Sequence, residues 1–410
     1  MTVGSANVEE RKPRLLVLNQ YYWPGFEATA HLLHELCSML TDEFDVTVVT
    51  GMLPLPNLSP GTTTVEGVTI VRVPSTAYER SHLSRRGLNY VTYLLHALRV
   101  GWRMSRPDVI FCMTDPPMVA DVGLILARRF RRPLVVTSQD VFPEVAVELG
   151  RLESPLLVGL LRKLVGYYLA RADRVIAIGE TMRARLEEKG APSERLRVIS
   201  NWVQASVLTP RPRDNAWARE HDLVDKFVVM HSGNVGHAQD LDSLVRAATF
   251  LRDLERLRIV IVGAGARHAE LVALAERLEV DSIRFLPYQD REVLSESLSA
   301  ADLHIVGLAR GLSGYVVPSR MYGVLAVGRP VLVAAEATSE TAKIVESIGC
   351  GIVVPPGRPE LITKTIREAY AGEYNLEAMG VCARRFAVEE ADRSVALERY
   401  RAVFREVIGQ

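Results

Sequence analysis

The chain has 410 residues, 48% hydrophobic and 24% charged, a globular composition long enough for two domains with separate cores. Its 49 basic residues balance 49 acidic ones, which excludes the overall basic field of a nucleic-acid-binding protein. The four cysteines (Cys37, Cys112, Cys350 and Cys382) are far apart and form no CxxC pair, so neither a disulfide framework nor a zinc site is expected, and a reducing, cytoplasmic setting fits. The first fourteen residues lack the apolar core of a signal peptide, and no apolar run is long enough to span a membrane.

In chain order, short apolar strands are predicted at Leu15–Asn19, Asp45–Thr50, Val68–Val73, Val109–Cys112, Leu134–Thr137 and Arg174–Ile178. They are rich in Val, Ile and Leu with little polar alternation, the pattern of strands buried on both faces of a parallel sheet. Helical stretches such as Ala28–Leu40, Met118–Phe130 and Leu156–Ala170 separate them. The result is repeated βαβ, the doubly wound arrangement. Residues 84–106 mix arginines with Tyr, Trp and Leu at helical spacing. That segment reads equally as a helix in an anionic membrane interface or as a helix packing its apolar face on the sheet.

The rhythm breaks at Asn201–Arg213, where two prolines mark a linker, and then restarts. Strands are predicted at Phe227–His231, Arg258–Val262, Ile283–Leu286, Leu303–Val306, Pro330–Ala334 and Gly351–Val354, and Leu376–Val407 reads as continuous helix. The expected fold is therefore α/β, two Rossmann-like doubly wound domains facing across a cleft. The domains are placed at residues 1–205 and 206–385, with 386–410 forming a terminal helix that packs back on the first domain. Ligands of such sheets bind beyond the carboxyl ends of the strands.

Several loops at those ends carry chemistry. Gly233, Asn234 and Gly236 follow the first strand of the second half, where glycines permit a sharp turn and the amides before a helix suit an anion. Gly263 and Gly265 follow the next strand but lack the third glycine and acidic ribose partner of a dinucleotide site, so a structural turn and a ligand contact are equally good readings. Pro318 and Ser319 read as a helix start, with Ser319 as cap and Arg320 in the first turn. A cation there opposes the helix dipole, a conflict that a bound diphosphate would remove. In the first half, Gly25 precedes a helix whose start carries Glu27, read as a dipole-stabilised cap or an acceptor contact. Asp140 and Glu144 follow a strand end, where Asp140 reads as a helix cap or as the group that orients an acceptor hydroxyl.

These segments resemble a known family. Asn19–Ala30, Asp140–Glu144, Ala172–Ala177, Asn201-Trp202, Ser232–Gly236 and Val317–Arg320, in this order and spacing, look like the family 4 retaining glycosyltransferases of GT-B fold, in particular the bacterial cell-surface polysaccharide branch. The resemblance covers about Arg14 to Arg401. It implies a nucleotide diphosphate sugar, with UDP favoured, bound by the second half, and a sugar, lipid-linked or small-molecule acceptor bound by the first. It implies no cofactor and no metal. The implied donor set is Gly25, Gly233, Asn234, Gly236, Gly263, Gly265, Arg267, Tyr288, Pro318, Ser319, Arg320 and Tyr322, with Asp140 and Arg320 catalytic and Glu27 and Glu144 on the acceptor side. The family's two glutamates fall on Tyr315 and Gly323, its Arg and Lys after the first glycine turn on Asn234 and Gln239, and its histidine before Asp140 on Gln139. Arg320 is then expected to carry more of the diphosphate charge, helped by His237 or Arg267. An epimerase or hydrolase on the same scaffold, and a non-catalytic nucleotide-sugar-binding protein, are the alternatives.

Overall fold

The computed structural model describes residues 11–25, 28–56, 58–78 and 83–409. The first half holds strands β1 (Arg14–Leu18), β2 (Asp45–Thr50), β3 (Gly61–Val65), β4 (Val68–Arg72), β5 (Val109–Met113), β6 (Leu134–Ser138), β7 (Arg174–Ala177) and β8 (Leu196–Val198). Between them run helices α1 (Ala28–Leu40), α2 (Leu83–Arg103), α3 (Val119–Phe130), α4 (Glu144–Glu148), α5 (Pro155–Leu169) and α6 (Glu180–Glu188). The second half holds β9 (Phe227–Ser232), β10 (Leu257–Val262), β11 (Ile283–Leu286), β12 (Leu303–Gly307), β13 (Val331–Ala334) and β14 (Gly351–Val354). Its helices are α7 (Ala216–Glu220), α8 (Leu241–Ala248), α9 (His268–Arg277), α10 (Arg291–Ser299), α11 (Arg320–Ala326), α12 (Glu340–Ile348) and α13 (Pro359–Tyr370), followed by α14 (Leu376–Glu389) and α15 (Arg393–Ile408).

The strands form two sheets, as the βαβ rhythm requires. One runs β3-β4-β2-β1-β5-β6-β7-β8 and the other β11-β10-β9-β12-β13-β14. All pairings are parallel except β3 with β4. Both sheets reverse their winding direction once, between β1 and β5 and between β9 and β12. The loops that leave β1, β5, β9 and β12 therefore diverge at the two switch points, where a doubly wound sheet opens a crevice for ligand.

Strand β3 departs from expectation. All but one of its residues are exposed, so this Thr-rich edge carries no buried-strand pattern. The tail departs too: the expected continuous helix breaks at Glu390–Asp392. Helix α14 buries Ala383 and Ala387 in the second domain's core beside Tyr322. Helix α15 buries Tyr400 and Phe404 in the first domain's core against Phe44, Phe111 and Trp202. The Tyr400 hydroxyl lies 3.1 Å from Thr137 Oγ1.

Candidate active site

Several contacts join the two halves. The Val141 N–H donates to the Tyr315 carbonyl at 3.0 Å, and Asp140 forms an antiparallel bridge with Val316. This joins the loop after β6 to the loop between β12 and α11. The Thr181 N–H and hydroxyl, at the start of α6, donate to Glu340 Oε2 at 2.9 and 2.8 Å. Near the start of α10, Arg291 Nη2 lies 3.5 Å from Glu35 Oε1 on α1.

Arg320 begins α11 and crosses Gly233: a Cβ on that glycine would sit 3.6 Å from Arg320 Cβ and Cδ. Its guanidinium Nη1 donates to His231 Nε2 at 3.1 Å. His231, next to last in β9, is fully buried, and burial together with the Arg320 charge pushes its pKa well below the usual histidine value. A neutral imidazole accepts from the arginine and cannot repel it. Burial also pushes the Arg320 pKa down, to about 10, which leaves it a cation at neutral pH. Among the described residues no carboxylate pairs with Arg320. Tyr288, more than half exposed, stands on the other side of the Gly263 loop and donates its hydroxyl to the Ala264 carbonyl at 3.3 Å.

The structure corrects several expectations around this arginine. Ser319 has helical backbone angles, φ −63° and ψ −25°, and its hydroxyl caps nothing. Tyr322 is 1% exposed and packs in the second domain's core. Pro318 is buried just before the helix start. Arg267 is not a spare cation, since its guanidinium pairs with Asp242 at 2.7 and 3.0 Å and with Glu270 at 2.8 Å. The pKa of His237 is lowered by burial and by Arg151 and Arg267, so it adds no positive charge.

The glycine loops also use their amides on each other. Gly233 N–H donates to Val262 O, Val235 N–H to Ala264 O and Gly263 N–H to Leu286 O, each at 2.9 Å. The Gly236 N–H donates to Gln239 Oε1, also at 2.9 Å. A Cβ on Gly263 would meet the Gly233 carbonyl oxygen at 2.0 Å, and one on Gly265 would meet that of Val235 at 2.2 Å. Stacking of the two loops thus accounts for both glycines. Asn234 is exposed at the rim of these loops.

On the first-domain side, the Gly25 N–H donates to Tyr22 O at 2.9 Å, so this amide belongs to its own turn and does not face the cleft. Glu27 lies outside the described residues. Asp140 is exposed at the bridge to Val316. Beneath it Gln139 is buried, with its N–H donating to Thr114 Oγ1 at 3.0 Å and its Oε1 accepting from Asn201 Nδ2 at 3.1 Å. Glu144 is not open to an acceptor: it binds Lys189 Nζ at 2.6 Å and Arg162 Nε at 3.1 Å. Burial works against its charge, but these cations outweigh burial and hold its carboxyl below the usual range. Glu144 lines a pocket of about 340 Å³ with Arg162, Arg185, Glu188, Lys189 and Tyr315. Arg185 stacks over the Tyr315 ring at 5.0 Å.

His231 and Glu340 are the site residues that the sequence did not reveal. His231 is distinguished only by its place immediately before Ser232-Gly233, and Glu340 by its place after Ser339, an N-cap serine.

Two family descriptions match in tandem: "Glycosyl transferase 4-like domain" over residues 28–202 and "Glycosyl transferases group 1" over residues 214–386. The chain is 26% identical to a probable glycosyltransferase WbjE of Pseudomonas aeruginosa, across 97% of this chain and 99% of that one. It is 31% identical to a putative colanic acid biosynthesis glycosyl transferase WcaI of Escherichia coli K12, across 57% of each. In three dimensions it is similar to Alr3699/HepE of Anabaena, solved in complex with UDP, with a TM-score of 0.73 at 15% identity over 96% of this chain and 100% of that one. With two doubly wound α/β domains in tandem and both halves matched in order, the chain belongs to the family 4 glycosyltransferases of GT-B fold.

Proposed function

We propose that the chain transfers a hexosyl or N-acetylhexosaminyl group from a UDP-sugar to a hydroxyl of a lipid-linked or small-molecule acceptor in polysaccharide biosynthesis. In this reading transfer proceeds with retention and without a bound metal, at the cytoplasmic face of a membrane that residues 84–106 contact. The observation that carries it is Arg320, a half-buried cation at the β9/β12 switch point with a neutral histidine for a partner. A buried charge without a counterion is costly, and a diphosphate would supply two oxygens in the geometry that guanidinium favours. UDP in HepE and the colanic acid role in the WcaI description support the donor and the pathway class.

In this mechanism Arg320, Asn234 and the rim of the glycine loops hold the diphosphate, with Tyr288 beside them. Arg320 stabilises the negative charge that grows on the leaving diphosphate as the anomeric carbon–oxygen bond breaks. That task needs a fixed cation, which is why a metal is not required in this reading. Asp140 orients the acceptor hydroxyl, and a diphosphate oxygen takes its proton as the new glycosidic bond forms.

Arg320→Ala is expected to weaken UDP binding about ten- to a hundredfold, the loss of a charge-assisted hydrogen-bonded pair. Titration calorimetry checks this, and unchanged affinity sinks the phosphate assignment. The anomeric configuration of the product by NMR tests retention, and turnover in excess chelator tests metal independence. A non-catalytic nucleotide-sugar-binding protein is the second reading, favoured by Tyr315 and Gly323 at the places of the family's glutamates. Tight UDP binding with no turnover over a panel of acceptors would select it.

A further inference from the structure

Helix α5 is apolar on two faces. Val158, Leu161, Val165 and Tyr168 are buried on the first domain. On the opposite face Leu156, Leu160 and Leu164 form one stripe at helical spacing, and Leu156 is 89% exposed. A helix apolar all round belongs inside a protein or in hydrocarbon. At 15 residues α5 is too short to cross a bilayer, and no described helix is long and apolar enough to do so.

The neighbouring helices extend this face. Helix α2 turns Tyr93 and Ala97 inward, so it does pack on the domain, yet it leaves Leu88, Leu95 and Trp102 exposed on its outer side. Helix α3 lies between α2 and α5 and exposes Ile125. Aromatic rings tie the three together at the border. Arg129 stacks over Trp102 at 5.3 Å, and Arg128 and Arg171 lie 5.5 and 3.8 Å from the Tyr167 ring centre.

The exposed charge carried by the three helices has one sign, with the Glu153 carboxylate standing just ahead of α5. Helices α2 and α5 carry no Asp or Glu, and α3 carries only Asp121, whose carboxyl burial pushes up to about 6. Exposed Arg99, Arg103, Arg128, Arg129 and Lys163 stand on the same three helices as the exposed leucines and Trp102. A second copy of the same face would set arginine against arginine. An anionic lipid surface would meet leucine with acyl chains and arginine with headgroup phosphate.

We propose that α5, together with the outer faces of α2 and α3, seats the first domain on an anionic bilayer. The surface is thus centred on α5, beyond residues 84–106. Its purpose, though not its evidence, rests on the transferase reading. Arg162 of α5 binds Glu144 at the start of α4, which sets the docked helix beside the loop that carries Asp140. Docking therefore holds the acceptor side of the cleft beside the lipid, where a lipid-borne hydroxyl would arrive.

The test is co-sedimentation of the full chain with vesicles of phosphatidylcholine alone or doped with phosphatidylglycerol. Leu156→Ser/Leu160→Ser alters only exposed side chains, and Val381→Ser on α14, 65% exposed, is the control. The parent and the control are expected to bind the doped vesicles and to release in high salt, and the double variant to bind at least about tenfold less. The proposal is overturned if the parent ignores both vesicle types, or if the double variant binds like the parent. It is also overturned if sedimentation velocity shows a dimer that the double variant dissolves, because the face then belongs to a second copy. UDP calorimetry on the same samples separates the two readings: lost vesicle binding with intact UDP binding removes the docking surface alone.

Discussion

Asp121 shows how far one side chain can sit from its ordinary chemistry. It lies in the first turn of α3, where the helix dipole favours a carboxylate, yet its Oδ2 is buried without a hydrogen-bond partner. Burial raises its carboxyl from 3.8 to about 6. Because the folded value lies above the unfolded one, the cost is absent below about pH 4, grows between about pH 4 and 6, and is complete above. Asp121→Asn is expected to stabilise the protein by about 2 kcal/mol at pH 7.5, after discounting for partial exposure, and by nothing near pH 3.5. Urea denaturation at the two pH values checks this, and an equal effect at both would refute the assigned cause. Arg320 was legible in the sequence for the related reason that its charge conflicts with its local helix end. His231 was not, because its partner lies 89 residues away and nothing local marks a buried neutral imidazole.

At the scale of elements, the strands buried on both faces were legible because their apolar runs leave no alternative pattern. Strand β3 was missed because an exposed edge needs only backbone pairing to β4. The break between α14 and α15 was missed because apolar spacing continues across it, although Asp392-Arg393-Ser394 contains a helix start. Asp392 Oδ1 accepts from the Ser394 N–H at 2.9 Å and Oδ2 from the Ala205 N–H at 3.0 Å. Its backbone bridges Val203, so a single residue starts α15 and pins the linker. Burial opposes the charge of Asp392, but these donors outweigh it and keep the carboxyl below the usual range. Asp392→Ala removes a cap and the carboxylate acceptor of the Ala205 N–H and is expected to cost about 2 kcal/mol. A lowered urea midpoint at unchanged m-value would show it. An unchanged midpoint would mean that packing of Tyr400 and Phe404 alone fixes the helix.

At the scale of the molecule, the two domains are held by reciprocal insertion, by the backbone bridge between the Asp140 and Val316 loops, and by a part-buried carboxylate tie. Val317 of the second domain packs in the first domain's core, while Val145 and Leu149 of the first pack on the second's. The Arg291–Glu35 pair across α10 and α1 is long, and its arginine is exposed, so it contributes little. Glu340 is different. Its carboxylate accepts two hydrogen bonds from Thr181 at the amino end of α6, where the dipole favours an anion. It fits because residue 179 is glycine, where a Cβ would lie 2.5 Å from Glu340 Cδ. Loss of two bonds to a charged acceptor amounts to about 1.5 kcal/mol or more, which would move an open–closed equilibrium about tenfold. Glu340→Ala is therefore expected to raise the radius of gyration in small-angle X-ray scattering and to lower kcat/KM about tenfold. Because Arg320 and the glycine loops all belong to the second domain, UDP affinity by calorimetry is expected to stay within about twofold of the parent. Glu340→Gln retains one acceptor oxygen and should fall between. Unchanged scattering with lost activity would place Glu340 in the chemistry itself, and unchanged scattering with unchanged activity would leave domain closure to the apolar insertion of Val145, Leu149 and Val317 and to the Val141–Tyr315 backbone hydrogen bond.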